Sequence, residues 1–280
     1  MKKIILLCII ACFIISLIPE KVYKEVFISL CTKIIIPPIL PGDTSSNLSQ
    51  EIFIAHAGGP ISKNIYTNSK ESVLNSLKNG FKYIELDLLI TKDNHIIAAH
   101  DWSFINENQN NTPLTLNEVI EIYKNKNITL LTGKDIYELM LKNDNWILIT
   151  DKIRDFSLLE KEIPLKNRII VEVFNRFDYA VCLQKGFTPA YSLPWDSKNL
   201  KDLNNFTAEW YTVSGIAWDR KQINLMHYIK NLRRQKKEVL LYTAGKPNHI
   251  NMESDIFIKE NIKIYFSKIY TDIERSFSQI

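Results

Sequence analysis

The sequence predicts an α/β fold, a TIM (β/α)8 barrel, and three observations carry that expectation. From residue 51 onward eight short apolar runs recur. Most of the stretches between them have helical periodicity. The alternation fills about 220 residues, close to the roughly 250 that such a barrel needs. A doubly wound open sheet is the alternative, because it is built from the same alternation.

The first run, "EIFIAHA" (51 to 57), ends in a histidine followed by "GGP", where a strand gives way to a loop. "SKESVLNSLKNG" is the first helical segment, with Gly80 as its stop, and "YIELDLLI" (83 to 90) is the second run. "TKDNHIIAAHDW" (91 to 102) breaks the alternation. Its Lys92, Asp93 and Asn94 predict a tight turn into a short extended piece, which folds His100 back toward the carboxyl end of strand two. The remaining runs are "WILITD" (146 to 151), "RIIVEVF" (168 to 174), "TPAYSL" (188 to 193), "WYTVSGIAW" (210 to 218), "EVLLYT" (238 to 243) and "KIYFSKIYTD" (263 to 272). Helical segments between them include "FDYAVCLQKG", stopped at Gly186, and "RKQINLMHYIKNLRRQKK".

The 280 residues, 46% of them hydrophobic, suffice for one barrel-sized core. The net charge of +4 comes from 35 basic and 31 acidic residues spread along the chain, too mild a bias to argue for nucleic acid. The run "NLRRQKKE" (231 to 238) reads as the solvated end of a helix, where cations suit the dipole. Cys8, Cys12 and Cys31 lie in the N-terminal apolar region and Cys182 stands alone in the body, which excludes an internal disulfide or cysteine-based metal cluster there. "MKK" followed by Ile4 to Ile18, with Ser16 the one polar residue, reads as a signal peptide or membrane anchor over residues 1–25. Residues 26–50 read as a membrane-proximal segment and linker, and 51–280 as the barrel. The expected location is therefore anchored at the membrane or exported to the cell envelope.

Barrel active sites sit at the carboxyl ends of the strands. Strand one delivers His56 there, and strand two carries Glu85 and Asp87 two residues apart, on one face. The turn brings His100 and Asp101 to the same rim, strand three ends in Asp151, and strand four carries Glu172. Paired carboxylates make an oxygen site for a hard divalent cation such as Mg²⁺ or Ca²⁺. Two imidazoles beside it suit hydrolysis of a phosphodiester, one taking a proton from the nucleophile and one giving a proton to the leaving alkoxide. Trp102, Trp195 and Trp218 read as core rather than pocket wall, and Asp272 as the polar terminator of the last strand, with a substrate role as the alternative.

"IAHAGG…YTNSKES…GFKYIELDLLITKDNHIIAAHDW" resembles the glycerophosphodiester phosphodiesterase family and its wider superfamily of phospholipase C-like enzymes. Looser matches at "ILITDK", "IIVEVFN", "VLLYT" and "IYTD" follow in family order. The resemblance implies a TIM barrel, a divalent cation, His56 and His100 as catalytic acid and base, and Glu85, Asp87 and Asp151 as metal ligands. Apart from the resemblance, Lys152 and Glu172 are read as substrate-binding residues, with a salt bridge to a neighbouring basic residue as the alternative for Glu172. An aspartate at 151 looks like the phosphatidylinositol-specific phospholipase C-like branch, where typical glycerophosphodiesterases have glutamate. The expected substrate is a small-molecule or lipid phosphodiester. Two departures bear on phosphate binding: the arginine usual after the first histidine is Ala57, and the lysine usual two residues beyond the third ligand is Ile153, flanked by Lys152 and Arg154. They leave as the alternative a catalytically impaired barrel that binds lipid or glycan phosphate.

Overall fold

The computed structural model describes residues 51–61, 66–105, 111–194, 200, 203, 206–219, 223–242, 261 and 264–272. The N-terminal segment of residues 1–50, Trp195 and His249 lie outside them. Among the described residues no helix is long and apolar enough to cross a membrane.

Nine strands are described: β1 Phe53–Ala55, β2 Tyr83–Ile90, β3 Ile96–Ala98, β4 Ile147–Asp151, β5 Ile169–Val173, β6 Thr188–Ser192, β7 Trp210–Ser214, β8 Glu238–Tyr242 and β9 Lys268–Thr271. The helices are α1 Lys70–Lys78, α2 Trp102–Ile105, α3 Leu116–Asn125, α4 Gly133–Lys142, α5 Phe156–Glu162, α6 Arg176–Gln184, α7 Gly215–Asp219 and α8 Ile223–Arg234. All eight apolar runs contain a strand. The strand in the first run stops at Ala55, so His56 opens a 3-10 turn, His56–Gly58. The sixth turns helical from Gly215, and only the last part of the eighth is extended.

Every neighbouring pair among β1, β2 and β4 to β9 is parallel, and β1 pairs with both β9 and β2, so the sheet closes. Closure decides for the TIM barrel over the doubly wound sheet. β3 is the exception: it runs antiparallel to β2, with Leu88 opposite Ala98 and Ile90 opposite Ile96. Thr91, Lys92, Asp93 and Asn94 make the turn, Asn94 taking a left-handed φ of 61°.

Side chains of a strand alternate faces, and the burial follows that period. Ile54, Tyr83, Ile147, Ile149, Ile170, Ala190, Leu240 and Tyr270 fill the barrel interior. Their neighbours along each strand, such as Ala55, Ile84, Leu86, Leu148, Val171 and Leu241, pack outward against the helices. A satellite core of Ile97, Ala99, Trp102, Ile105, Val119 and Tyr123 holds the excursion after β2. Trp102 is buried there and Trp218 packs against Phe266 at 4.8 Å between ring centroids, so both serve packing. Thr115 and Thr132 each close a capping box, with Glu118 and Asp135 respectively, which fixes where α3 and α4 begin.

Candidate active site

The same alternation that puts Ile54, Tyr83, Ile149 and Ile170 inside the barrel puts the next inward positions at its carboxyl rim. Two steps on along each strand stand His56, Glu85, Asp151 and Glu172, and two beyond Glu85 stands Asp87. Strand register sets Asp87 beside Asp151 and Glu85 beside Ile149. The backbone N–H of Ala99 donates to Asp87 O at 3.0 Å, which anchors the returning chain and brings His100 to the rim. A cleft of about 180 Å³ is lined by all seven residues that the sequence singled out: His56, Glu85, Asp87, His100, Asp151, Lys152 and Glu172.

Glu85 is buried, and its Oε2 accepts the Ala57 N–H at 2.7 Å. That bond depends on the turn after β1, where Ala57 takes φ 48° and ψ 41° and Gly58 and Gly59 follow at φ 85° and 93°. Asp87 is clamped by Asn68, whose Nδ2 donates to Oδ2 at 2.9 Å while its Oδ1 accepts the Asp87 N–H at 3.0 Å. The other carboxylate oxygen of Asp87 accepts from Lys152 Nζ at 2.6 Å, and the same ammonium donates to His100 O at 2.5 Å. Lys152 reaches this position because its φ is 60°, a left-handed residue directly after β4. A strand continued in extended form would turn the residue after Asp151 away from the interior.

Each histidine faces an aspartate through Nδ1. His100 Nδ1 lies 2.9 Å from Asp101 Oδ2, within hydrogen-bonding geometry. His56 Nδ1 lies 3.1 Å from Asp272 Oδ1, within ion-pair range but not aligned as a hydrogen bond. Its Nε2 points toward the carboxylates, 3.9 Å from Glu85 Oε2. Tyr66 stands edge-on between the two imidazoles, its ring centroid 4.5 Å from that of His56 and 5.9 Å from that of His100. Glu172 is tied across the interior, its Oε1 accepting from Thr212 Oγ1 at 2.6 Å.

One ligand atom from each of Glu85, Asp87 and Asp151 lies within 4.8 Å of the others, so the three could hold a metal ion. Burial, then the charges of Asp87 and Asp151, push Glu85 well above the usual carboxylate range. Burial and the charge of Asp87 do the same to Asp151. Asp87 goes the other way: burial opposes its ionisation, but the Lys152 ammonium holds its carboxyl below the ordinary value. Asp151 Oδ1 is buried with no hydrogen-bond partner among the described residues. An orphaned hard oxygen and mutually repelling carboxylates fit a divalent cation that accepts oxygen ligands.

Sequence reasoning missed the aromatic wall, Tyr66, Phe174, Tyr242 and Tyr270, and the clamp from Asn68. Tyr242 and Tyr270 had an available signal, since each occupies an inward position of its strand. Tyr66 and Asn68 had none beyond their place in "YTNS", because left-handed φ values of 61° and 50° aim them. Asp272 does terminate the last strand, and the fold also sets it beside His56. His95 and His227 stand outside the cleft lining.

Residues 59–138 match the family model described as the glycerophosphoryl diester phosphodiesterase family. That segment carries Glu85, Asp87 and His100. The resemblance read from "IELDLLITKDNHIIAAHDW" is a family resemblance. The family's enzymes are phosphoric diester hydrolases, and this is the enzyme class to which the chain is assigned. No curated protein matches the chain. Among solved structures, the glycerophosphodiester phosphodiesterase of Thermotoga maritima is 18% identical with a TM-score of 0.60, over 79% of this chain and 94% of that one. A glycerophosphoryl diester phosphodiesterase of Parabacteroides distasonis is 16% identical with a TM-score of 0.58, over 89% and 88%. An Oleispira antarctica phosphodiesterase, in complex with its product sn-glycerol-3-phosphate, is 13% identical with a TM-score of 0.60, over 79% and 92%. At these identities the likeness establishes a shared fold.

Proposed function

We propose that the protein hydrolyses a phosphodiester with the help of one divalent cation, Mg²⁺ or Ca²⁺, using His56 and His100 as an acid/base pair. The observation that carries this reading is the convergence of both imidazoles and three carboxylates on one cleft at the carboxyl end of the barrel. Glu85, Asp87 and Asp151 would hold the cation, which when bound neutralises charge on the non-bridging phosphate oxygens. The aspartate behind each Nδ1 favours the tautomer that leaves Nε2 facing the cleft. One imidazole takes the proton of the attacking water or substrate hydroxyl as the new O–P bond forms. The other gives its proton to the leaving alkoxide as the old P–O bond breaks.

Lys152 answers the departure at Ala57. Its ammonium lines the cleft, bonded to Asp87, and is the cation we assign to the phosphate, in place of the arginine that the sequence lacks. This position supports a working site over an impaired binding barrel. Glu172 is assigned to the substrate's hydroxyl side of the cleft. The product held by the Oleispira antarctica phosphodiesterase supports a small-molecule phosphodiester, and Asp151 in place of glutamate is what favours the phospholipase C-like branch within that class. Membrane anchorage or export of the barrel is proposed on the apolar N-terminal sequence alone.

His56→Ala and His100→Ala are each expected to lower hydrolysis of bis(p-nitrophenyl) phosphate by about 10²- to 10⁴-fold with unchanged circular dichroism. EDTA is expected to abolish the wild-type rate, and excess divalent cation to restore it. Full activity in both histidine variants would overturn the assignment.

A further inference from the structure

The chemistry occupies one end of the barrel, and the charge of the opposite end has no part in it. The turns that lead from a helix into the next strand all lie at the amino-terminal end. Lys78 closes α1 before β2, Lys142 closes α4 before β4, and Arg234 and Lys236 stand at the end of α8 before β8; all four are exposed. Three acids at this end are matched, Glu51 by Lys82 at 3.4 Å, Glu160 by Lys166 at 2.5 Å and Glu209 by Lys237 at 2.5 Å, while the exposed Asp144 follows Lys142 in the α4–β4 turn and offsets part of its charge. Leu141 and Ile264, also at this end, are 51% and 45% exposed. The carboxyl end has the reverse sign. Asp101, Asp155, Asp178 and Asp272 join the four carboxylates of the cleft there, while Lys152 and Arg154 are ion-paired to Asp87 and Asp178.

Cations at helix carboxyl termini complement the macrodipole, which accounts for one such residue per helix. It does not account for where the chain enters. Glu51 leads into β1 at this same amino-terminal end, so residues 1–50, with their apolar stretches 4–18 and 26–41, are tethered beside the basic turns. A tether read as membrane-seeking and a basic face rimmed by two exposed apolar side chains thus share one pole.

We propose that the amino-terminal pole of the barrel is a docking face for an anionic lipid surface. Lys78, Lys142, Arg234 and Lys236 make its electrostatic contact, and Leu141 and Ile264 make its apolar one. Docked this way, the cleft opens away from the bilayer on which the protein sits, and the acidic pole is held clear of the lipid charge. The enzyme then takes its phosphodiester from the aqueous side or from a facing surface rather than from the leaflet beneath it. The proposal is independent of the catalytic reading, because its test measures partition and not turnover.

The full chain is partitioned onto sedimented vesicles of phosphatidylcholine alone and of phosphatidylcholine with 30 mol% phosphatidylglycerol, at low and at high salt (about 0.5 M). Wild type is expected to bind the anionic vesicles about tenfold or more better, an advantage that high salt removes. The quadruple variant Lys78→Gln, Lys142→Gln, Arg234→Gln and Lys236→Gln is expected to lose that advantage while binding pure phosphatidylcholine as before through its unchanged N-terminal segment. A control that removes as many cations elsewhere, Lys92→Gln, Lys124→Gln, Lys126→Gln and Lys134→Gln, is expected to keep it. Thermal melts of both variants check that they are folded. Retention of the full advantage in the first variant, or an equal loss in the control, would overturn the proposal.

Discussion

His56 and His100 stand on different strands and are set by different means. His100 Nδ1 is hydrogen-bonded to its sequence neighbour Asp101, whereas His56 meets Asp272, which lies 216 positions away at the other end of the barrel sequence. Asp272→Asn is expected to lower turnover by about 10- to 100-fold while leaving the melting temperature close to wild type, because it removes an orienting partner and not a reacting group. Asn68 is the corresponding support for Asp87, and its side chain makes both of its hydrogen bonds to that one residue. Asn68→Ala is expected to weaken divalent-cation affinity by about 10- to 100-fold, read by calorimetric titration. Partial burial raises the pKa of Asp101, but hydrogen bonds from Ser103, His100 and the Phe104 N–H outweigh it and bring the carboxyl down to about 2. A carboxyl whose folded pKa is depressed contributes stability above its unfolded value, near 3.9, and loses it as pH falls through the folded value. The difference in melting temperature between wild type and Asp101→Asn is therefore expected to be constant above about pH 5 and to shrink toward pH 2. A difference independent of pH would contradict the linkage.

At the scale of elements, two short departures from regular backbone make the site. The turn after β1 folds the Ala57 N–H onto Glu85, and it needs Gly58 in the left-handed region with no side chain. A Cβ there would meet Ser72 Oγ at 2.2 Å. Gly58→Ala is expected to cost about 1–3 kcal/mol from backbone strain alone, a fall of roughly 2–10 °C in melting temperature, with activity lost beyond what the stability explains. The second departure is Lys152. Its residue type was legible, but the left-handed φ that swings it inward after Asp151 was not, since no glycine or asparagine marks the position. The strands themselves were legible because a buried parallel strand is a continuous apolar run. Their ends were less so: "WYTVSGIAW" is apolar throughout, and hydropathy alone does not separate β7 from the short α7 that follows it.

Along the barrel axis the described residues gather carboxylates and imidazoles at one end, and basic turns with the entry into β1 at the other. Three carboxylates within 4.8 Å store repulsion that a bound cation relieves, so millimolar Mg²⁺ or Ca²⁺ is expected to raise the melting temperature, with EDTA reversing the shift. No shift with either ion, at concentrations that saturate activity, would remove Glu85, Asp87 and Asp151 as ligands. The sequence by itself determined the α/β alternation, the returning piece that carries His100, and the inward pairing of Glu85 with Asp87, because each follows from side-chain periods of two or from local turn chemistry. It also carried the family resemblance, through one segment that the family model matches. Only the tertiary structure decided that the sheet closes, that Asp272 stands behind His56, that Tyr66 lies between the two histidines, and that Lys152 occupies the cleft. Those contacts join residues far apart in the chain or depend on the sign of a single φ, and no local pattern of hydropathy encodes either one.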